Sequence, residues 1–98
     1  MFTGIIAALQ PITTIEPNAD NKLVSIGLPA GWELSIGESI TVDGVCSTVI
    51  AITDEAFQVE YMPESLRLTT MGQRQAGDKV NLERSLTAAD LLSGHIVQ

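Results

Sequence analysis

The sequence predicts a single all-β domain closed into a barrel, and three observations predict it. Turn signals recur roughly every 8 to 15 residues, the runs between them are rich in Ile, Val and Thr, and several runs alternate apolar with polar side chains. Ninety-eight residues with 45% hydrophobic content suffice for one modest core, and aromatics at 4% leave its packing to Ile, Leu, Val and Ala. Six short strands in an open sheet would leave two bare edges, so closure is the simplest arrangement.

The first strand spans Gly4 to Ile15 and is interrupted or bent near Pro11, which lacks a ladder donor. "EPNADN" then supplies a polar turn. The second strand takes Leu23 to Leu28, with Val24, Ile26 and Leu28 alternating against Lys22, Ser25 and Gly27. "PAGWELSIGE" is a loop carrying the only Trp. Ser39 to Val42 and Val45 to Ile52 flank Asp43-Gly44, a pair that tolerates positive φ and suits a two-residue hairpin. Phe57, Val59 and Tyr61 alternate with Gln58 and Glu60 in a fifth strand, which Pro63 ends. Pro63 also suits an early helical position, and "ESLRLTT" sets Leu66 and Thr70 one turn apart in a short helix that Gly72 closes. "AGDKVNLERSL" gives a sixth strand with Val80 and Leu82 inward. "TAADLLSGH" gives a last short helix capped by Thr87. No internal repeat or linker divides the chain, so residues 1–98 are expected to form one domain.

Charge and cysteine content exclude several classes of function. Twelve acidic against five basic side chains give a net charge of −7, which repels phosphate backbones and anionic lipid, so no nucleic acid or membrane partner is expected. One cysteine allows no intrachain disulfide, and there is no Cys/His set for a structural zinc. A reducing, cytoplasmic setting is the expectation. "MFTGIIAALQPITTIEP" has neither the basic start nor the cleavage site of a signal peptide, and no apolar run approaches the roughly 20 residues of a membrane span.

Five strings in order carry the sequence further: "MFTGI", "DGVCSTV", "MPESLRLTT", "GDKVNLERSL" and "SGHIVQ". Together they resemble the N-terminal half of riboflavin synthase, over nearly the whole chain. The resemblance implies a six-stranded antiparallel Greek-key barrel with one or two short helices, binding one 6,7-dimethyl-8-ribityllumazine. Two such barrels occur per chain of that enzyme. It transfers a four-carbon unit between two lumazines, giving riboflavin and a ribitylaminopyrimidinedione, with no metal or cofactor. Only one barrel is present here, so the chain is expected to be an excised domain or a one-barrel relative. Its partner would be a second barrel, supplied by a homodimer if the chain stands alone. The alternative is a non-catalytic lumazine- or flavin-binding protein of the same fold.

Such chemistry needs modest bases, because the carbanion of the lumazine C7 methyl delocalises into the ring, and a thiolate or hydroxide that can add to the second lumazine. It also needs two flat rings held face to face. Matched residue by residue, the resemblance implies that Gly4, Ile5 and Ile6 line the pteridine pocket. Cys46, Ser47 and Thr48 match the strand with the pocket thiol and threonine, with Ser47 standing where Leu is usual. Glu60, Tyr61, Met62, Pro63, Glu64 and Ser65 match the segment that closes around the ring edge and ribityl chain. Catalytic contributions are implied for Cys46, Ser39, Phe2 and His95.

Each residue also has a plain structural reading. Cys46 would be a small buried hydrophobe and Thr48 a β-branched strand residue. Glu64 would be a first-turn charge favoured by the helix dipole. Phe2 would be a hydrophobic plug, Ser39 a polar hairpin residue, and His95 a solvated group near the end of the sequence.

Overall fold

The alternating runs pair as antiparallel strands. The computed structural model describes the backbone of residues 2–87 and the side chains of residues 6–84. Strands β1 (Phe2–Asn18), β2 (Asn21–Gly27), β3 (Ser39–Val42), β4 (Val45–Ile52), β5 (Ala56–Tyr61) and β6 (Lys79–Thr87) form a closed barrel in the order β1-β2-β5-β4-β3-β6. Helix α1 (Pro63–Leu68) and a 3-10 turn (Thr70–Gln73) lie between β5 and β6. Among the described residues no helix is long and apolar enough to cross a membrane.

Closure depends on two strands, β1 and β4, that change partner along their length. β1 pairs with β6 from Phe2 to Pro11 and with β2 from Ile12 to Asn18, and a register shift between Ile12 and Thr14 marks the corner. The bend predicted near Pro11 is therefore a bulge within an unbroken strand. There the Ile12 N–H donates to the Asp78 carbonyl, and the Ile12 carbonyl accepts from Gly77. β4 turns the second corner: Val45–Thr48 pair with β3, Val49–Ile52 pair with β5, and the shift falls between Val49 and Ala51. Bulges sharpen twist and bend a strand, as barrel corners require.

The core is mostly aliphatic, with the rings of Trp32, Phe57 and Tyr61 set into it. Ile12, Val24, Ile26, Ile40, Val42, Val49, Phe57, Val59, Val80 and Leu82 are buried, so Val80 and Leu82 face inward as predicted. Trp32 folds back from the loop after β2 and joins this core. The loop is held by Arg84 of β6, whose guanidinium bonds the Glu38 carboxylate and the Glu33 carbonyl. Asp43 and Gly44 turn the β3–β4 hairpin at φ 49° and 82°, the positive pair that a tight turn of this kind needs.

Some boundaries differ from the sequence expectation. β1 continues through Glu16, Pro17 and Asn18 because each finds a partner on β2, which leaves Ala19-Asp20 as the turn. β2 starts at Asn21 and stops at Gly27, and Leu28 packs against the core from just beyond it. The helix ends at Leu68 rather than Gly72, since the Thr69 hydroxyl donates to the Ser65 carbonyl and accepts from the Met71 N–H, local bonds that compete with helix continuation. Gly72 instead lets the 3-10 turn press against α1, where a Cβ would sit 2.2 Å from the Leu66 carbonyl oxygen. Thr87 is the last residue of β6, opposite Phe2. The helix expected after it lies outside the described residues.

Candidate functional site

The corner in β4 opens a cleft in the barrel wall. β4 and β5 pair through Ile52↔Phe57, Ala51↔Gln58 and Val49↔Val59, and no pair continues the ladder past Val49 towards Val45. Val49 directs its N–H and carbonyl to Glu38 and Gly37, on the β3 side. Main-chain groups alternate sides along a strand, so those of Cys46 and Thr48 point towards β5, and for Cys46 the ladder has already ended. The resulting cleft, of about 370 Å³, is lined on β4 by Cys46, Ser47, Thr48 and Ile50. Glu60, Tyr61 and Met62 line it from the end of β5, Ser65 from α1 and Asn21 from β2. Its size falls within the usual range of roughly 300–1,000 Å³ for small-molecule pockets.

Alternation sorts the β4 side chains into two sets. Cys46, Thr48 and Ile50 are exposed on the outer face, while Ser47 and Val49 are buried. The small-hydrophobe reading of Cys46 is therefore not what the structure shows, because the thiol stands at the cleft mouth. Ser39 pairs with Thr48 and Thr41 with Cys46, which continues a face of small polar groups onto β3. Across the cleft, Glu60 is held by the Asn18 and Asn21 amides, both donating to Oε2, at 2.8 and 3.1 Å. Its other oxygen makes no side-chain bond among the described residues, so it can accept from a ligand. Hydroxyl, thiol, carboxylate and main-chain edges beside the apolar Ile50 and Met62 suit a flat, amide-edged ring. Among the described residues the lining carries no basic side chain to hold a phosphate, and no cluster of potential metal ligands occurs.

Beneath the cleft, Ser47 and Tyr61 face inward at 5% and 3% exposure. Their hydroxyls are 2.6 Å apart. Burial raises the Tyr61 phenol above its ordinary value of 10.0, opposed by the Ser47 hydrogen bond, with smaller upward contributions from Asp43 and Cys46. A raised folded value means that the unfolded chain loses its phenolic proton first. This contribution to stability is complete below about pH 10 and is lost as pH rises through the folded value. We expect the urea midpoint to fall more steeply above about pH 10 in the wild-type chain than in Tyr61→Phe. Parallel pH profiles for the two proteins would refute this.

The cleft thus brings together Cys46, Ser47, Thr48, Glu60, Tyr61, Met62 and Ser65 of the residues singled out from the sequence. Pro63 and Glu64 lie on the exposed first turn of α1, outside the lining. Ser39 borders the cleft through Thr48 without lining it. Phe2, Gly4, Ile5 and Ile6 lie on β1 opposite β6, which separates them from β3 and β4, and Ile6 packs against the core. His95 lies outside the described residues. Asn21 and Ile50 line the cleft without having been singled out. Ile50 had a signal, since it shares the alternating face of Cys46 and Thr48. Asn21 sat in a stretch read only as a turn.

A small closed barrel with an open, polar-edged cleft between splayed strands has the form of a small-molecule-binding module. The family model described as "Lumazine binding domain" matches residues 3–85, and the chain belongs to that family. Curated relatives are similar along its whole length. It is 40% identical to the riboflavin synthase of Brucella abortus (strain 2308), over 99% of this chain and 51% of the relative. The riboflavin synthase of Schizosaccharomyces pombe is also 40% identical, over 100% of this chain and 48% of the relative. That of Bacillus subtilis (strain 168) is 36% identical, over 99% and 46%. The chain spans about half the length of the curated relatives it matches.

Proposed function

We propose that this chain binds one 6,7-dimethyl-8-ribityllumazine, or the product riboflavin, in the cleft between β4 and β5. In this reading it acts as one half of a riboflavin synthase site. The observation that carries it is the convergence of the Cys46–Thr48 and Glu60–Met62 segments, with Ser65, on one cleft in a chain of the lumazine binding domain family. The ring lies against Ile50 and Met62. Thr48 can donate to and accept from its amide edge, and the free oxygen of Glu60 accepts from a hydroxyl. Cys46 supplies a nucleophile that can add reversibly to a lumazine. The strand order, in which β6 returns to pair with the first of the consecutive strands β3, β4 and β5, supports a Greek-key reading.

Replacing Thr48 with valine keeps its shape and removes the hydroxyl. Binding should weaken by about 1–3 kcal/mol, because the ring atom paired with it is left unsatisfied. Titration of riboflavin fluorescence measures this, and an unchanged affinity removes Thr48 from the site.

A cleft open to solvent also calls for a cover. We propose a homodimer that brings two clefts together, since two-fold pairing is the commonest way for identical chains to bury a shared surface. Met62 at the cleft and Leu68 on α1 are 60% and 74% exposed, which supports an apolar contact on that side. Sedimentation should give a dimer at high concentration with ligand present, and a monomer under those conditions overturns the proposal.

A further inference from the structure

The back wall of the cleft is polar where the described barrel interior is otherwise mostly apolar. Ser47 and Tyr61 are both buried, and they stand behind the outward-facing Cys46 and Thr48. Extending the β4–β5 register one inward step past Val49↔Val59 sets Ser47 opposite Tyr61. No ladder pair is formed there, and the side-chain contact of 2.6 Å takes its place. The proton directions follow from what each hydroxyl already does. Ser47 Oγ can donate its single proton to the Val45 carbonyl at 3.0 Å, and with that proton so used the Tyr61 phenol is the donor to Ser47. A tyrosine also carries its hydroxyl a ring's length from its own backbone. It can therefore link strands that have parted beyond the ladder spacing of about 4.8 Å.

We propose that the chain Tyr61 to Ser47 to Val45 is a positioning device, which fixes the width of the cleft and the orientation of Cys46 and Thr48. This rests on the reading of the cleft as the ligand site. Tyr61 is anchored on its far side by pairing with Lys22 of β2, so the reference for the bond is the intact β2–β5 ladder. Ser47 lies between the two outward residues, and a bond on its hydroxyl sets the pitch of both neighbours. The two partners are not equivalent. Tyr61→Phe leaves Ser47 bonded to Val45, whereas Ser47→Ala leaves a buried phenol with no acceptor.

The test is a double-mutant cycle of Tyr61→Phe and Ser47→Ala, read in two ways: riboflavin affinity by fluorescence, and amide hydrogen exchange in the ligand-free chain. Tyr61→Phe should weaken binding about three- to tenfold, Ser47→Ala should weaken it more, and the double variant should be no worse than Ser47→Ala. Exchange at the Thr48 amide should quicken in both single variants, while Val24 and Val59 on the β2–β5 ladder keep wild-type rates. Unchanged affinity, additive losses, or exchange that quickens equally at Val24 and Val59 would overturn the device. Should the wild-type chain bind no riboflavin or lumazine, the proposed function fails, and exchange at Thr48 still decides whether the pair positions this strand.

Discussion

Replacing Arg84 with methionine is expected to lower the stability of the barrel by about 3 kcal/mol. Arg84 is buried on β6, at 9% exposure. Its Nε donates to Glu38 Oε2, and its Nη2 donates to the Glu33 carbonyl at 2.7 Å and to Glu38 Oε1 at 3.3 Å. Methionine keeps much of the apolar stem but leaves the Glu38 carboxylate with only the Ser35 N–H, at 3.0 Å. Removing one partner of a buried pair costs roughly 3–5 kcal/mol, because the other charge stays behind uncompensated. Glu38 keeps 21% of its side chain in solvent, so water relieves part of that and the lower end applies. The urea midpoint should shift with the slope unchanged. A loss under about 0.5 kcal/mol, the scale of an ordinary surface change, would show that this pair does not hold the loop. The consequence reaches the site, because the Glu38 carbonyl accepts from Val49 and the next residue, Ser39, pairs with Thr48.

Legibility in the sequence followed the range of the interactions involved. The Asp43-Gly44 hairpin, the inward Val80 and Leu82, and the bend near Pro11 rest on local rules of turn chemistry and alternation, and all three are present. The sides of β4 were less legible. Cys46 and Ser47 are both small, and a free thiol invites burial. Ser47 goes inside because Tyr61, fourteen positions away, offers it a bond. The Glu60 clamp was hidden for the same reason: Asn18 and Asn21 reach it from 42 and 39 positions away, out of a segment whose composition signalled only a turn. The end of α1 turned on the Thr69 hydroxyl, a local competitor for the backbone that a glycine-based stop signal overlooked.

Purified alone, this chain is expected to bind lumazine and yet form riboflavin at least about a hundredfold more slowly than a relative of about twice its length. The proposed reaction needs two rings in contact with opposite roles, since one lumazine loses a C7-methyl proton while the other accepts addition at its ring. In the proposed reading the cleft between β4 and β5 holds one ring, and the cleft is open on the side that carries the Cys46 thiol and the Thr48 hydroxyl. A symmetric pair of these chains would present the same Cys46, Thr48 and Glu60 to both rings, so no difference in surroundings would assign donor and acceptor. Where alignment carries the catalysis, a misplacement of about 1 Å costs on the order of a hundredfold in rate. Binding energy is less demanding, because each ring is held by its own barrel. Mixing the chain with a second, non-identical barrel should restore turnover. The assay is steady-state conversion of lumazine to riboflavin, beside a fluorescence titration on the same sample. Multiple turnovers at the rate of a full-length relative would show that one kind of barrel suffices. Binding without turnover is the expected pattern, and failure to bind either ligand would remove the cleft from consideration as the site.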